Sequence, residues 1–242
     1  RALENSGIPA SAIAGISYDA TTLTMVAMDA KGAELRPAIM WMDVRAAEQA
    51  ERAGRSDSVA RLYNGGGHCP ATAEWYPFKA AWLRENEPET YARAVHLVDA
   101  PDWVTYKLTG EWTTNINSAA IRMYHNRDRG GWPRDFYETV GCGDALDRIP
   151  ERVLDLGVPV GELGLIPAQL LGLRPGIPVA QGMADAWAGQ IGLGVLRPGQ
   201  MALITGSSHV LTGQSDKEIH GEGFFGAYTD GVMPGQYTVE GS

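Results

Sequence analysis

The sequence predicts an α/β protein. Short apolar runs that read as buried strands recur along the chain, and helical patterns of alanines and charges lie between them. The 30 glycines are scattered through the joints rather than gathered in one tract, as many tight connections require. At 242 residues the chain suits one large domain, or one domain plus part of another. An apolar fraction of 44% excludes wholesale disorder. A net charge of −9 argues against a general nucleic-acid binder, which needs a basic face, although a few local donors suffice for one phosphate group. No apolar run reaches the roughly 18 residues of a membrane span.

Taken in order, Arg1-Ala2-Leu3-Glu4-Asn5 reads as the tail of a helix and carries no signal-peptide pattern. Ile13–Tyr18 and Leu23–Met28 read as strands. Asp29–Gly32 is a turn in which Gly32 supplies the positive φ. Pro37–Met42 reads as a third strand that enters a loop at Asp43. A helix is predicted from about Arg45 to Gly54, where β-branching is absent. Trp75, Phe78 and Trp82 recur at helical spacing within 75–85, and Pro88 stops any continuation. Val95–Val98 is a brief strand leading to Asp99-Ala100-Pro101, a helix start with proline in the first turn, and that helix ends at Gly110. Residues 115–132 are polar with little periodicity and read as a loop. Phe136–Val140 is a short helix, and 157–176 reads as a connection. Ile177–Ala180 is a strand, Gly182–Asp185 a turn, and Ala186–Leu193 a small-residue helix. Arg197-Pro198-Gly199 is a turn, Met201–Ile204 a strand, Val210–Thr212 its return, and 236–242 a final strand and break. Both ends look cut, so an internal fragment is expected. Cys69 and Cys142 are far apart and form no CxxC, which predicts reduced thiols in a cytoplasmic protein.

Three groups of residues could carry chemistry. Thr205-Gly206-Ser207-Ser208 joins two apolar strands by hydroxyls and glycine. It is either an anion nest of successive N–H groups or an ordinary hairpin turn. Asp185 follows a buried strand at the end where α/β sheets bind ligands. It either accepts a proton from a substrate hydroxyl or caps the next helix. Trp41-Met42-Asp43-Val44-Arg45 offers an aromatic face, an acceptor and a donor. That set suits a polyol, and it is equally a core tryptophan beside a surface ion pair. The five histidines show no HxH or HExxH spacing, and GxSxG, GxGxxG and GxxxxGK[ST] are all absent. Trp75, Trp82, Trp103 and Trp187 read as core or semi-core residues.

In order and spacing, these pieces resemble the FGGY family of carbohydrate kinases. The matching segments are Gly15–Thr21, Trp41–Ala46, Asp102–Glu111, Gly182–Gly189 and Thr205–Ser208. Asp19-Ala20-Thr21, Gly130-Gly131-Trp132-Pro133 and Glu240-Gly241-Ser242 point to the ribulokinase-like branch. The resemblance implies an actin-like, ribonuclease H-like fold with ATP and sugar bound in a cleft between two domains. Residues 1–197 would form the sugar-binding N-terminal domain without its front strands, and 198–242 the beginning of the nucleotide-binding domain. It implies transfer of the γ-phosphoryl group of ATP, with Mg2+, to a sugar or polyol hydroxyl. By match Asp185 is the base, and Thr205, Gly206, Ser207 and Ser208 hold phosphate. Trp41, Asp43, Arg45, Asp19 and Glu240 lie on the substrate side.

An aspartate with a pKa of roughly 4 is a weak base at neutral pH, yet it can orient the hydroxyl and take its proton late. The expected partner is a small sugar or polyol, with no nucleic acid and no membrane; a homodimer is left open. The family's leading acidic phosphate hairpin has no counterpart before Gly15, and its adenosine-binding part is missing. Asn115-Ile116-Asn117-Ser118 stands where many members carry an aspartate. The fragment alone is therefore expected to be inactive. The sequence leaves open a kinase for xylulose, glycerol or erythritol, a non-catalytic sugar or nucleotide sensor on the same fold, and a protein in which Asp185 and the turn are purely structural.

Overall fold

Residues 1–64, 67–206 and 209–241 are described by the computed structural model. Met25–Met28 pairs antiparallel with His96–Asp99, and all four residues of the first strand are buried. The helix Tyr76–Asn86 packs on the same core through Phe78 and Leu83, both with no solvent exposure. An aromatic cluster closes that core, with the Tyr124 and Phe136 rings 4.3 Å apart and Phe78 edge-on to both. A second cluster joins Ile116, Ile121, Met183, Trp187, Tyr228 and Val232. It draws together three elements remote in sequence: the helix Ile116–Arg122, the helix Asp185–Gly192 and the strand Phe224–Thr229.

The described residues from 201 to 241 are dominated by one antiparallel sheet. Its strand order is Phe224–Thr229, Tyr237–Gly241, His209–Ser215, Met201–Thr205. The remaining sheets are pairs. Asp19–Ala20 runs parallel to Met183–Ala184, and Thr114–Asn115 parallel to Val153–Leu154. Pro159–Glu162 is antiparallel to Pro178–Ala180. No helix among the described residues is long and apolar enough to cross a membrane.

The helix beginning after Asp99 spans Ala100–Thr109 and stops at Gly110; the Asp99 carboxylate accepts from the Ala100 N–H. Gly32 adopts φ 76° in its turn. Several expectations are corrected. Residues 13–18 hold only an isolated bridge from Ile16 to Val179, because Ile13 and Ile16 are apolar for packing and not for a ladder. Pro37–Met42 likewise keeps one bridge, Ile39 to Met25. Pro88 ends one helix and starts another, Pro88–Arg93, since proline is favourable in a first turn. The supposed loop after Asn115 begins with the helix Ile116–Arg122, all seven residues of which are buried. The stretch 157–176 contains the strand Pro159–Glu162 and the helix Leu165–Leu171. The segment 182–185 is no turn: Met183–Ala184 is a strand, and Asp185 opens a helix directly.

Candidate active site

Asp185 owes its place to the parallel pair beneath it. A side chain at Gly182 would come within 2.5 Å of the Tyr18 ring and 2.7 Å of the Tyr18 carbonyl, so only glycine lets these segments approach. The Ala184 N–H donates to Asn117 Oδ1 at 3.2 Å, and Asn117 Nδ2 donates to the Gly231 carbonyl at 2.7 Å. Asn117, on the helix Ile116–Arg122, thus ties the strand before Asp185 to the connection between the strands Phe224–Thr229 and Tyr237–Gly241. Asp185 itself is exposed, and among the described residues its one hydrogen bond is accepted at Oδ1 from the adjacent Ala186 N–H, at 2.8 Å. Its other oxygen has no hydrogen-bond partner among the described residues.

That carboxylate opens into a cavity of about 490 Å³, whose walls include Trp41, Trp75, Arg122, Trp187 and Glu240. Its floor is a buried charged network. Arg122 forms an ion pair with Glu240, their side chains 8% and 7% exposed. Tyr228 Oη donates to Glu240 Oε2 at 2.7 Å and is also bonded by the Arg122 guanidinium. The guanidinium lies 5.1 Å from the Trp75 ring centroid and 5.4 Å from that of Tyr228. Burial pulls the Arg122 pKa down, but Glu240 and the Tyr228 hydroxyl outweigh it, and the group is held above its ordinary value. The cavity therefore combines flat apolar walls with fixed donors and acceptors, as small polar ligands require.

The structure brings Trp41, Asp185 and Glu240 into this one cavity. Asp43 and Arg45 are outside its lining. They pair with each other at 2.8 Å, and Arg45 lies over the Trp82 ring. The Arg45 hydrogen bond holds the Asp43 carboxyl below its usual range. Asp19 is exposed on its short strand, while Thr21, two residues on, reaches the cavity. Thr205 pairs with His209, which lines the cavity, so the hairpin 201–215 abuts the same space as Asp185. Gly206 is exposed at the hairpin's end, and Ser207 and Ser208 lie outside the described residues. Sequence reasoning missed Arg122. The available signal was Asn115 three residues before Ser118, a cap followed by Ala119-Ala120-Ile121; Asn115 Oδ1 does accept from the Ser118 N–H at 2.7 Å.

The profile of the FGGY family of carbohydrate kinases, N-terminal domain, matches residues 1–192. The chain belongs to this family. An FGGY carbohydrate kinase domain-containing protein of Xenopus laevis is 32% identical across 95% of this chain and 46% of its own length. A ribulokinase of Geobacillus thermodenitrificans is 29% identical across 98% of this chain and 45% of its own. This FGGY-family chain thus spans about half the length of the curated relatives it matches. The crystal structure of xylulose kinase from Rhodospirillum rubrum superposes with a TM-score of 0.79 at 25% identity, covering 94% of this chain and 46% of that one. The fold is accordingly the actin-like one of the FGGY sugar kinases.

Proposed function

We propose that the protein containing this chain transfers the γ-phosphoryl group of ATP to a hydroxyl of a sugar or polyol, with Asp185 as the base. A pentulose such as ribulose is the proposed acceptor, in keeping with the ribulokinases among the relatives. One observation carries the reading: Asp185, with one carboxylate oxygen unpartnered among the described residues, shares a cavity with the Arg122–Glu240 pair and three tryptophans, beside the 201–215 hairpin. Tryptophan faces cover the C–H side of a carbon chain, and Glu240 and Arg122 accept from and donate to its hydroxyls. The resemblance also assigns Asp43, Arg45 and Asp19 to the substrate side, although none of the three lines this cavity. Thr205 and Gly206 face the phosphates in this reading, and the resemblance extends that role to Ser207 and Ser208, which lie outside the described residues. Residues 1–197 form the sugar-binding domain in this reading and 198–242 open the nucleotide-binding one. Free thiols at Cys69 and Cys142 suit a cytoplasmic setting.

The chemistry balances simply. The acceptor oxygen forms a bond to the γ-phosphorus, the bond to the β,γ-bridging oxygen breaks, ADP leaves, and the hydroxyl proton passes to the Asp185 carboxylate. Phosphoryl transfer asks the protein mainly for positioning, so an aspartate that aligns the hydroxyl is sufficient. ATP is accompanied by Mg2+ in this chemistry, where the ion neutralises phosphate charge. Among the described residues no group of three His, Cys, Asp or Glu side chains could hold a metal; Mg2+ bound with ATP needs only one or two carboxylates beside the phosphates and water.

A coupled ADP-release assay on the full-length protein with ribulose, xylulose, glycerol and erythritol tests the reading; no release with any of them overturns it. Asp185→Asn is expected to lower kcat by about 10²–10⁴-fold while leaving ATP affinity nearly unchanged. An active D185N enzyme removes Asp185 from the role of base. A protein that binds sugar without turnover is the sensor instead.

A further inference from the structure

Lys79 has no solvent exposure, a rare state for a lysine, and it does not line the cavity. It projects from the helix Tyr76–Asn86, and Nζ donates to three backbone carbonyls: Leu23 at 2.7 Å, Met40 at 2.7 Å and Trp41 at 3.2 Å. An ammonium has three N–H donors, so each finds an acceptor. No carboxylate among the described residues pairs with it directly. Burial brings its pKa down to about 8, and the nearby Asp99, Asp43 and Glu74 partly offset that.

A methionine would fill this volume without the cost of burying charge. The charge is informative for what it holds. Leu23 has φ 64°, a left-handed conformation that leucine rarely adopts. Met40 and Trp41 belong to no strand, and apart from Lys79 the Trp41 backbone is fixed by its N–H donating to Thr24 Oγ1 at 3.2 Å. Leu23 and Trp41 both line the cavity. Two segments with little regular hydrogen bonding of their own are joined through one cation, and each supplies a wall.

We infer that Lys79 is a positioning residue for the acceptor: its ammonium bolts the turn at Leu23 to the Met40–Trp41 segment and so sets the spacing of two cavity walls. This inference rests on reading the cavity as the acceptor site. It assigns to Lys79 no contact with substrate. Its loss is therefore expected in acceptor affinity ahead of the chemical step.

The test is Lys79→Met in the full-length protein, with kinetics on the sugar accepted best and amide hydrogen exchange over residues 39–43. The expected result is a rise of about tenfold or more in the KM for sugar with a fall of less than about threefold in kcat, since misplaced walls weaken orientation without removing the base. Exchange at the Trp41 amide is expected to quicken. Thr24→Val removes the other tie on the same segment and is expected to raise KM more mildly. It decides the matter should K79M fail to fold. An unchanged KM in folded K79M, or in T24V where K79M is unfolded, overturns the inference. If the wild-type protein phosphorylates no sugar, the acceptor reading falls, and faster Trp41 exchange in K79M still bears out the bolt between the two segments.

Discussion

Arg122 and Glu240 come from positions 118 residues apart and meet where water barely reaches. A buried pair of this kind is weak evidence for stability as a pair, because both charges lost their hydration, but removing one partner strands the other. Glu240→Ala is accordingly expected to cost about 3–5 kcal/mol in urea unfolding, and the double variant Arg122→Met with Glu240→Leu to recover most of it. A double variant no more stable than E240A would mean that the network contributes shape rather than charge. The same double variant would strip the cavity floor of its donors and acceptors, so recovered stability with lost sugar binding is the signature expected of a network kept for recognition.

The helix Ile116–Arg122 shows how an element carries that residue into place. Asn115 caps it through Oδ1 and, through its own N–H and Nδ2, donates to Asp102 Oδ1 at 2.9 and 2.8 Å. Burial raises the Asp102 pKa well above its ordinary value, and Asn115 works against that shift. Asn115→Ala removes the cap and the Nδ2 donor, while the backbone N–H at 115 still reaches Asp102. The expected loss is about 2–4 kcal/mol by thermal or urea unfolding, combining a lost cap with a buried carboxyl left short of donors. This helix was illegible in the sequence because every residue in it is buried, and a helix covered on all sides shows no apolar stripe. The two-residue strands at Asp19–Ala20 and Met183–Ala184 were illegible for another reason, since two residues carry no period. Helices with a sequence-visible stop, such as Ala100–Thr109 before Gly110, were read to within a residue or so. In the cavity, Asp185, Trp41 and Glu240 were legible from local pattern and resemblance. Arg122 and Lys79 were not, because what they do depends on segments distant in the chain.

Across the whole molecule the buried ionisable groups pull the stability in opposite directions with pH. Asp99 and Asp102 are raised by burial, so the folded state keeps their protons to higher pH than the unfolded chain does, and their contribution falls as pH rises through the folded values. Cys142 is raised by burial as well, and its contribution falls once the unfolded thiol begins to ionise near its ordinary value of 9. Lys79 has the other sign. Its folded pKa of about 8 lies below the ordinary 10.5, so between those values the unfolded chain binds the extra proton and stability rises with pH. Comparing wild type with K79M isolates this contribution, because the other groups are common to both proteins. The unfolding free energy of wild type minus that of K79M is expected to climb by about 2–3 kcal/mol between pH 7 and 10.5, with most of the change above pH 8. Urea titrations of both proteins across that range measure it. A difference that stays flat would mean that Lys79 keeps its proton as readily as an exposed lysine, and that the three carbonyls around it repay the whole cost of its burial.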